Sequence, residues 1–218
     1  MDTVFWLQRW EKNNIAFHKS EANPALIKYF EALSLGKGSR VFLPLCGKTL
    51  DIAWLLSNGY RVAGAELIEM AIEQLFVELG VEPQILETGD VKHYSATNID
   101  IFVGDIFDVP GKTLGPVDAV YDRAALVALP KEIRDRYTAH LMEITDTAPQ
   151  LLVSYEYDQS LMDGPPFSIS REEVNQHYQA SYELTCLVSK DIPGGLKGKC
   201  AAQETVWLLQ IGELGARS

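Results

Sequence analysis

The chain has 218 residues and sets 19 Lys and Arg against 30 Asp and Glu, a formal net charge of −11. A surface that acidic repels phosphate backbones and anionic headgroups, so nucleic acid and membrane surfaces are excluded as expected partners. With 47% hydrophobic and 22% charged residues, no apolar run near the ~18 to 20 residues that span a bilayer and no basic-then-apolar leader, a single soluble, cytoplasmic domain over residues 1–218 is expected.

Residues 1–35 read as helical. Trp6 and Trp10 are four apart and share a helix face, residues 13–18 form a loop, and Asn23-Pro24 starts a second helix. Leu26, Tyr29, Phe30 and Leu33 follow at helical spacing. From residue 40 onward, apolar runs alternate with helical stretches. Residues 41–45 predict a strand that drains into the turn Cys46-Gly47-Lys48. Thr49 caps a helix with Asp51 in its first turn, Leu50, Ala53 and Trp54 on its inner face, and Asn58-Gly59 at its end. Residues 62–66 form a second strand closed by Glu66. The cleanest helix comes next, with Ile68, Ala71, Ile72, Leu75, Phe76 and Leu79 on one stripe and Gly80 as its stop.

Residues 81–95 read as a strand or a hairpin insertion. Strands at 99–103, 117–121 and 151–157 deliver Asp105, Asp122-Arg123 and Tyr157-Asp158 to loops, with a helix from Pro130 through Ile144 before the last of them. A stiff DGPPF loop at 163–167 and a capping box on Ser170 and Glu173 precede two final strands, at 182–189 and 205–211. The alternation gives a three-layer α/β sandwich with a mostly parallel sheet, ended by an antiparallel member.

On such a sheet a ligand lies beyond the carboxyl ends of the strands, near the switch in strand order, so the strand-ending residues are the candidates. The loop at 44–48 has one glycine where a dinucleotide fingerprint has three. That argues against a nicotinamide-dependent oxidoreductase; an ordinary strand-to-helix turn is the plainer alternative. Glu66 follows the loop by roughly 20 residues, the position from which an acid takes both ribose hydroxyls. Its alternative is a solvated strand-end glutamate. Arg123 either presents its fork of donors to an anionic substrate or a cofactor carboxylate, or pairs with Asp122. Cys46 has no histidine near it in sequence and fits a small filler of the turn better than a nucleophile. Cys46, Cys186 and Cys200 are unclustered, as reduced thiols are, and His18, His93, His140 and His177 lack metal-ligand spacing, so no metal is expected.

Taken in order, WLQRW at 6–10, AFH at 16–18, VFLPLCGK at 41–48, VAGAE at 62–66, IFD at 106–108, DRAALVA at 122–128, and YD at 157–158 with GPPF at 164–167 resemble the bacterial branch of the thiopurine S-methyltransferase family. The resemblance implies a Rossmann-like class I S-adenosylmethionine-dependent methyltransferase fold. Its sheet would have seven strands, one antiparallel near the C-terminus, with an α/β core over 40–211 under an N-terminal helical lid of residues 1–35. It implies methyl transfer from S-adenosylmethionine, leaving S-adenosylhomocysteine, to the sulfur of thiopurines or related aromatic thiols, and possible further acceptors in selenium or tellurium detoxification. A monomer without metal is expected. By matching position, Trp10, Leu45, Glu66 and Arg123 would contact S-adenosylmethionine, Asp105 and Ile106 would flank its adenine, and Phe17 would lie against the aromatic acceptor. Arg123 would be the catalytic residue, favouring the anionic thiolate. Family members often place an arginine between the last two strands; here PGGLKGK at 193–199 offers Lys197 and Lys199 instead, so acceptor preference can differ. The alternatives are a methyltransferase of another small molecule and a non-catalytic nucleotide-sensing protein.

Overall fold

A computed structural model describes residues 3–15 and 18–212. Among these, nine strands build one sheet: β1 (Arg40–Leu43), β2 (Arg61–Glu66), β3 (Gln84–Thr88), β4 (Val91–Ala96), β5 (Ile99–Val103), β6 (Ala119–Arg123), β7 (Gln150–Tyr157), β8 (Glu183–Asp191) and β9 (Ala202–Gln210). Their order across the sheet is β3-β4-β5-β2-β1-β6-β7-β9-β8. Strands β5, β2, β1, β6 and β7 are parallel, and β9 runs antiparallel to both β7 and β8. The expected seven strands are therefore the run from β5 to β8. The stretch at 81–95 is the hairpin β3–β4, which pairs antiparallel with β5 and widens the sheet to nine. The reversed strand is the penultimate one; β8, outside it, points with the parallel set.

The helices are α1 (Thr3–Glu11), α2 (Pro24–Tyr29), α3 (Leu50–Ser57), α4 (Glu69–Leu79), α5 (Gly111–Leu114), α6 (Lys131–Ile144) and α7 (Arg171–Tyr178). Strand side chains alternate between the faces, and helices cover both. Val41 and Leu43 of β1 pack with Leu26, Ile52, Leu55, Ile72 and Phe76 from α2, α3 and α4. Phe42, between them, packs with Tyr137, Leu141, Val174 and Tyr178 from α6 and α7 on the other side. All four residues of β1 are buried, as a central parallel strand requires.

The cap residues act as the sequence predicts. The side chains of Asn23, Thr49 and Ser170 accept from the first-turn amides of α2, α3 and α7. The inner face of α3 differs. Asp51, Ile52 and Leu55 are buried, while Leu50, Ala53 and Trp54 are half-buried, with Trp54 edge-on to Phe30 at 5.6 Å. LDIAWLLS is apolar around most of its circumference, so spacing alone does not select the face; packing against β1 and α2 does.

Candidate functional site

The chain passes from β1 to β2 on one side while β6 lies on the other, so the strand order switches at the β1–β6 seam. Over the carboxyl ends of these strands lies a cavity of about 990 Å³ whose lining includes Trp10, Leu45, Glu66 and Arg123.

The loop after β1 is held from β2. Cys46 donates its amide to the Ala65 carbonyl at 2.9 Å, and Gly47 donates to Glu66 Oε2 at 2.8 Å. Glu66 Oε1 accepts from the Ile68 amide at 2.9 Å. Burial raises the Glu66 carboxyl pKa, while these backbone donors oppose the shift. The strand-end acid thus fixes the loop and is not freely solvated. A carboxylate has about four lone-pair directions, so acceptor capacity remains for a ligand's hydroxyls.

The loop backbone is tightly surrounded. Leu45 takes φ 47° and Gly47 φ 53°. A Cβ on Gly47 would lie 3.3 Å from the Trp10 ring, which packs in turn with Ile68 and Ala71. Helix α1 is pinned to the loop through that ring. Cys46 is buried, and burial followed by the charge of Glu66 pushes its thiol pKa well up. It is a filler, with no thiolate to offer.

Arg123 and Asp122 end β6 on opposite faces. Asp122 is fully buried, accepting from the Leu126 amide at 3.1 Å and the Tyr137 hydroxyl at 2.7 Å. Arg123 faces the cavity, its Nε buried without a hydrogen-bond partner. Pairing with Asp122 is therefore ruled out by the pleat. Across the same face, the Tyr155 phenol sits between Arg123 and Glu204, and Glu204 pairs with Lys190 at 3.1 Å.

The remaining predicted residues divide. Asp105 and Ile106 follow β5, which is tied to β2 where the Gly104 amide donates to the Glu66 carbonyl at 2.9 Å. Neither lines the cavity: Asp105 caps a short turn through the Phe107 amide, and Ile106 is a core residue at 1% exposure. Phe17 lies outside the described residues. Lys197 reaches the cavity and donates to the Pro165 carbonyl at 2.7 Å, with its pKa lowered chiefly by burial; Lys199 is not part of the lining. Sequence reasoning did not select Asp51, Tyr121, Tyr155 or Glu204, all of which face the same space. Two-residue alternation back from Arg123 would have found Tyr121. Among the described residues no cluster of His, Cys, Asp or Glu could hold a metal ion, and no helix is long and apolar enough to cross a membrane.

Comparison with known proteins bears on this arrangement. A family model described as thiopurine S-methyltransferase matches residues 1–210. A protein of that name from Xanthobacter autotrophicus is 56% identical over 211 residues, covering 96% of this chain and 99% of its own. Another from Teredinibacter turnerae is 51% identical, covering 96% and 97%. Among solved structures, a Burkholderia thailandensis 1,6-didemethyltoxoflavin-N1-methyltransferase bound to S-adenosylhomocysteine superposes with a TM-score of 0.64 at 15% identity. That match covers 95% of this chain and 87% of the other, a likeness of fold. With a family match running from the first residue to the end of β9, the chain belongs to the thiopurine S-methyltransferase family.

Proposed function

We propose that this protein binds S-adenosylmethionine over β1, β2 and β6 and transfers its methyl group to the sulfur of a heteroaromatic thiol, thiopurines included. One observation supports this most: a buried strand-end acid, Glu66, and a half-buried arginine with a buried, unpartnered Nε, Arg123, line one cavity on either side of a single-glycine loop. In this assignment Glu66 accepts from the ribose hydroxyls, and Leu45 and Trp10 wall the donor. Asp105 and Ile106, outside the cavity lining, are left out of this assignment. Helix α1, whose Trp6, Arg9 and Trp10 line the cavity, covers the acceptor. A one-glycine loop suits a ligand without a pyrophosphate.

S-adenosylmethionine, when bound, supplies an electrophilic methyl carbon on a sulfonium. A thiolate is soft and already nucleophilic, so the chain's own task is alignment, which can save ~7 to 11 kcal/mol of barrier. Arg123 stabilises the anionic sulfur and orients it, in a cavity from which the lid excludes water. The tyrosines around it, Tyr121 and Tyr155, have pKa values raised chiefly by burial and so remain neutral. We assign the protein to the cytoplasm as a monomer acting in detoxification, with selenium and tellurium compounds as further acceptors to be screened.

Arg123→Ala is expected to lower kcat/KM for thiopurine methylation by about 10²- to 10³-fold, as loss of a preorganised donor does. Unchanged kcat/KM removes Arg123 from the mechanism. A wild-type protein that binds S-adenosylmethionine yet methylates no thiol, selenite or tellurite points to the sensor alternative.

A further inference from the structure

Two side chains in the cavity wall are buried without the partners their chemistry needs. Asp51, in the first turn of α3, is 1% exposed; its Oδ1 accepts from the Asn23 amide at 2.6 Å, and its Oδ2 has no hydrogen-bond partner. Tyr121 of β6 is 2% exposed, and its hydroxyl is also unpartnered. Both line the cavity and face each other closely enough for a weak hydrogen bond from the phenol to the carboxylate, with no closer partner for either atom. A buried carboxylate oxygen left unpaired is costly, and a ligand donor removes that cost.

Their position selects the donor. In the β1–β6 register Phe42 faces Val120, which sets Tyr121 beside Leu43 at the switch seam, directly before the loop. Glu66 stands on the β2 side of that loop. A ligand whose ribose rests on Glu66 carries its amino-acid arm across the loop to the seam. A carboxylate oxygen and a hydroxyl oxygen together suit a group with three N–H donors better than a ring with one. Arg123 lies two residues beyond Tyr121 on the same face. Lys48 in the loop is engaged elsewhere, with Glu78 at 2.6 Å.

Resting on the donor assignment above, we infer that Asp51 and Tyr121 form the anchor for the α-ammonium of S-adenosylmethionine and make the site selective for nucleosides that carry an intact amino-acid arm.

The test is calorimetric titration of wild type, Asp51→Asn and Tyr121→Phe with S-adenosylhomocysteine and with 5′-methylthioadenosine, which lacks the arm. Asn keeps an oxygen for the Asn23 amide. Asp51→Asn is expected to weaken S-adenosylhomocysteine about 10- to 100-fold, Tyr121→Phe by less, with 5′-methylthioadenosine unchanged in both. Equal losses for the two nucleosides, or no loss for either, overturn the assignment. A folded variant that keeps S-adenosylhomocysteine affinity but loses thiopurine turnover places the pair on the acceptor and overturns it as well. If the wild type binds neither nucleoside, the donor assignment fails, and this one falls with it.

Discussion

Asp122 and Arg123 are neighbours in sequence with unrelated surroundings, because successive strand residues face opposite sides of the sheet. Burial raises the Asp122 carboxyl pKa from 3.8 to about 6, against the opposing hydrogen bonds from Tyr137 and Leu126. The unfolded chain releases that proton near the ordinary value, so between about pH 4 and 6 the folded state holds a proton that the unfolded state has lost. The stabilising contribution is therefore full below about pH 4 and is lost as pH rises through about 6, a difference on the order of 3 kcal/mol. Asp122→Asn should flatten this part of the stability–pH curve in urea titrations; a pH-independent offset between variant and wild type would contradict it. Arg123 was legible in the sequence because it ends a strand at the expected ligand edge. Asp51 was not, since an acid in the first turn of a helix reads first as a partner of the helix dipole. Its unpaired oxygen is a three-dimensional fact.

At the scale of elements, the junction of β1, α3 and β2 is the most constrained part of the site. A Cβ at Gly64 in β2 would fall 2.7 Å from Ile101 Cδ1 and 2.9 Å from Cys46 Sγ. Both neighbours are buried, so Gly64→Ala is expected to cost about 1–3 kcal/mol by overpacking. Equilibrium denaturation measures this, and Cys46→Ala in the same chain should recover part of the loss; no recovery means that the sulfur is not the obstruction. Elements with one apolar stripe were readable, α4 above all, whose Ala71, Ile72, Leu75 and Phe76 are all buried. The inner face of α3 was not, because its apolar residues surround the helix. Hairpin β3–β4 gave a weak signal for another reason: four of the five residues of β3 are exposed, so no buried face imposed a period.

Across the whole molecule, the cavity draws its walls from segments far apart in the chain, and α1 joins it through Trp6, Arg9 and Trp10, the last against Gly47. Saturation with S-adenosylhomocysteine should shift tryptophan emission in the wild type and by less in Trp10→Phe, where Trp6 remains; an equal shift in both would remove the Trp10 ring from donor binding. The order of the last two strands has a different consequence, for the timing of assembly. Strand β8 is made before β9, yet it reaches the sheet only by pairing with β9, which lies between it and β7. During synthesis β8 has no place to dock until residues 202–210 are available, so the long-range pairing of β9 with β7 must close the sheet. Glu204 and Lys190, on these two strands, enter the cavity wall at that step. A nascent chain stopped short of β9 would hold the loop after β1 and Glu66 without the far wall, so the complete cavity arrives last in synthesis.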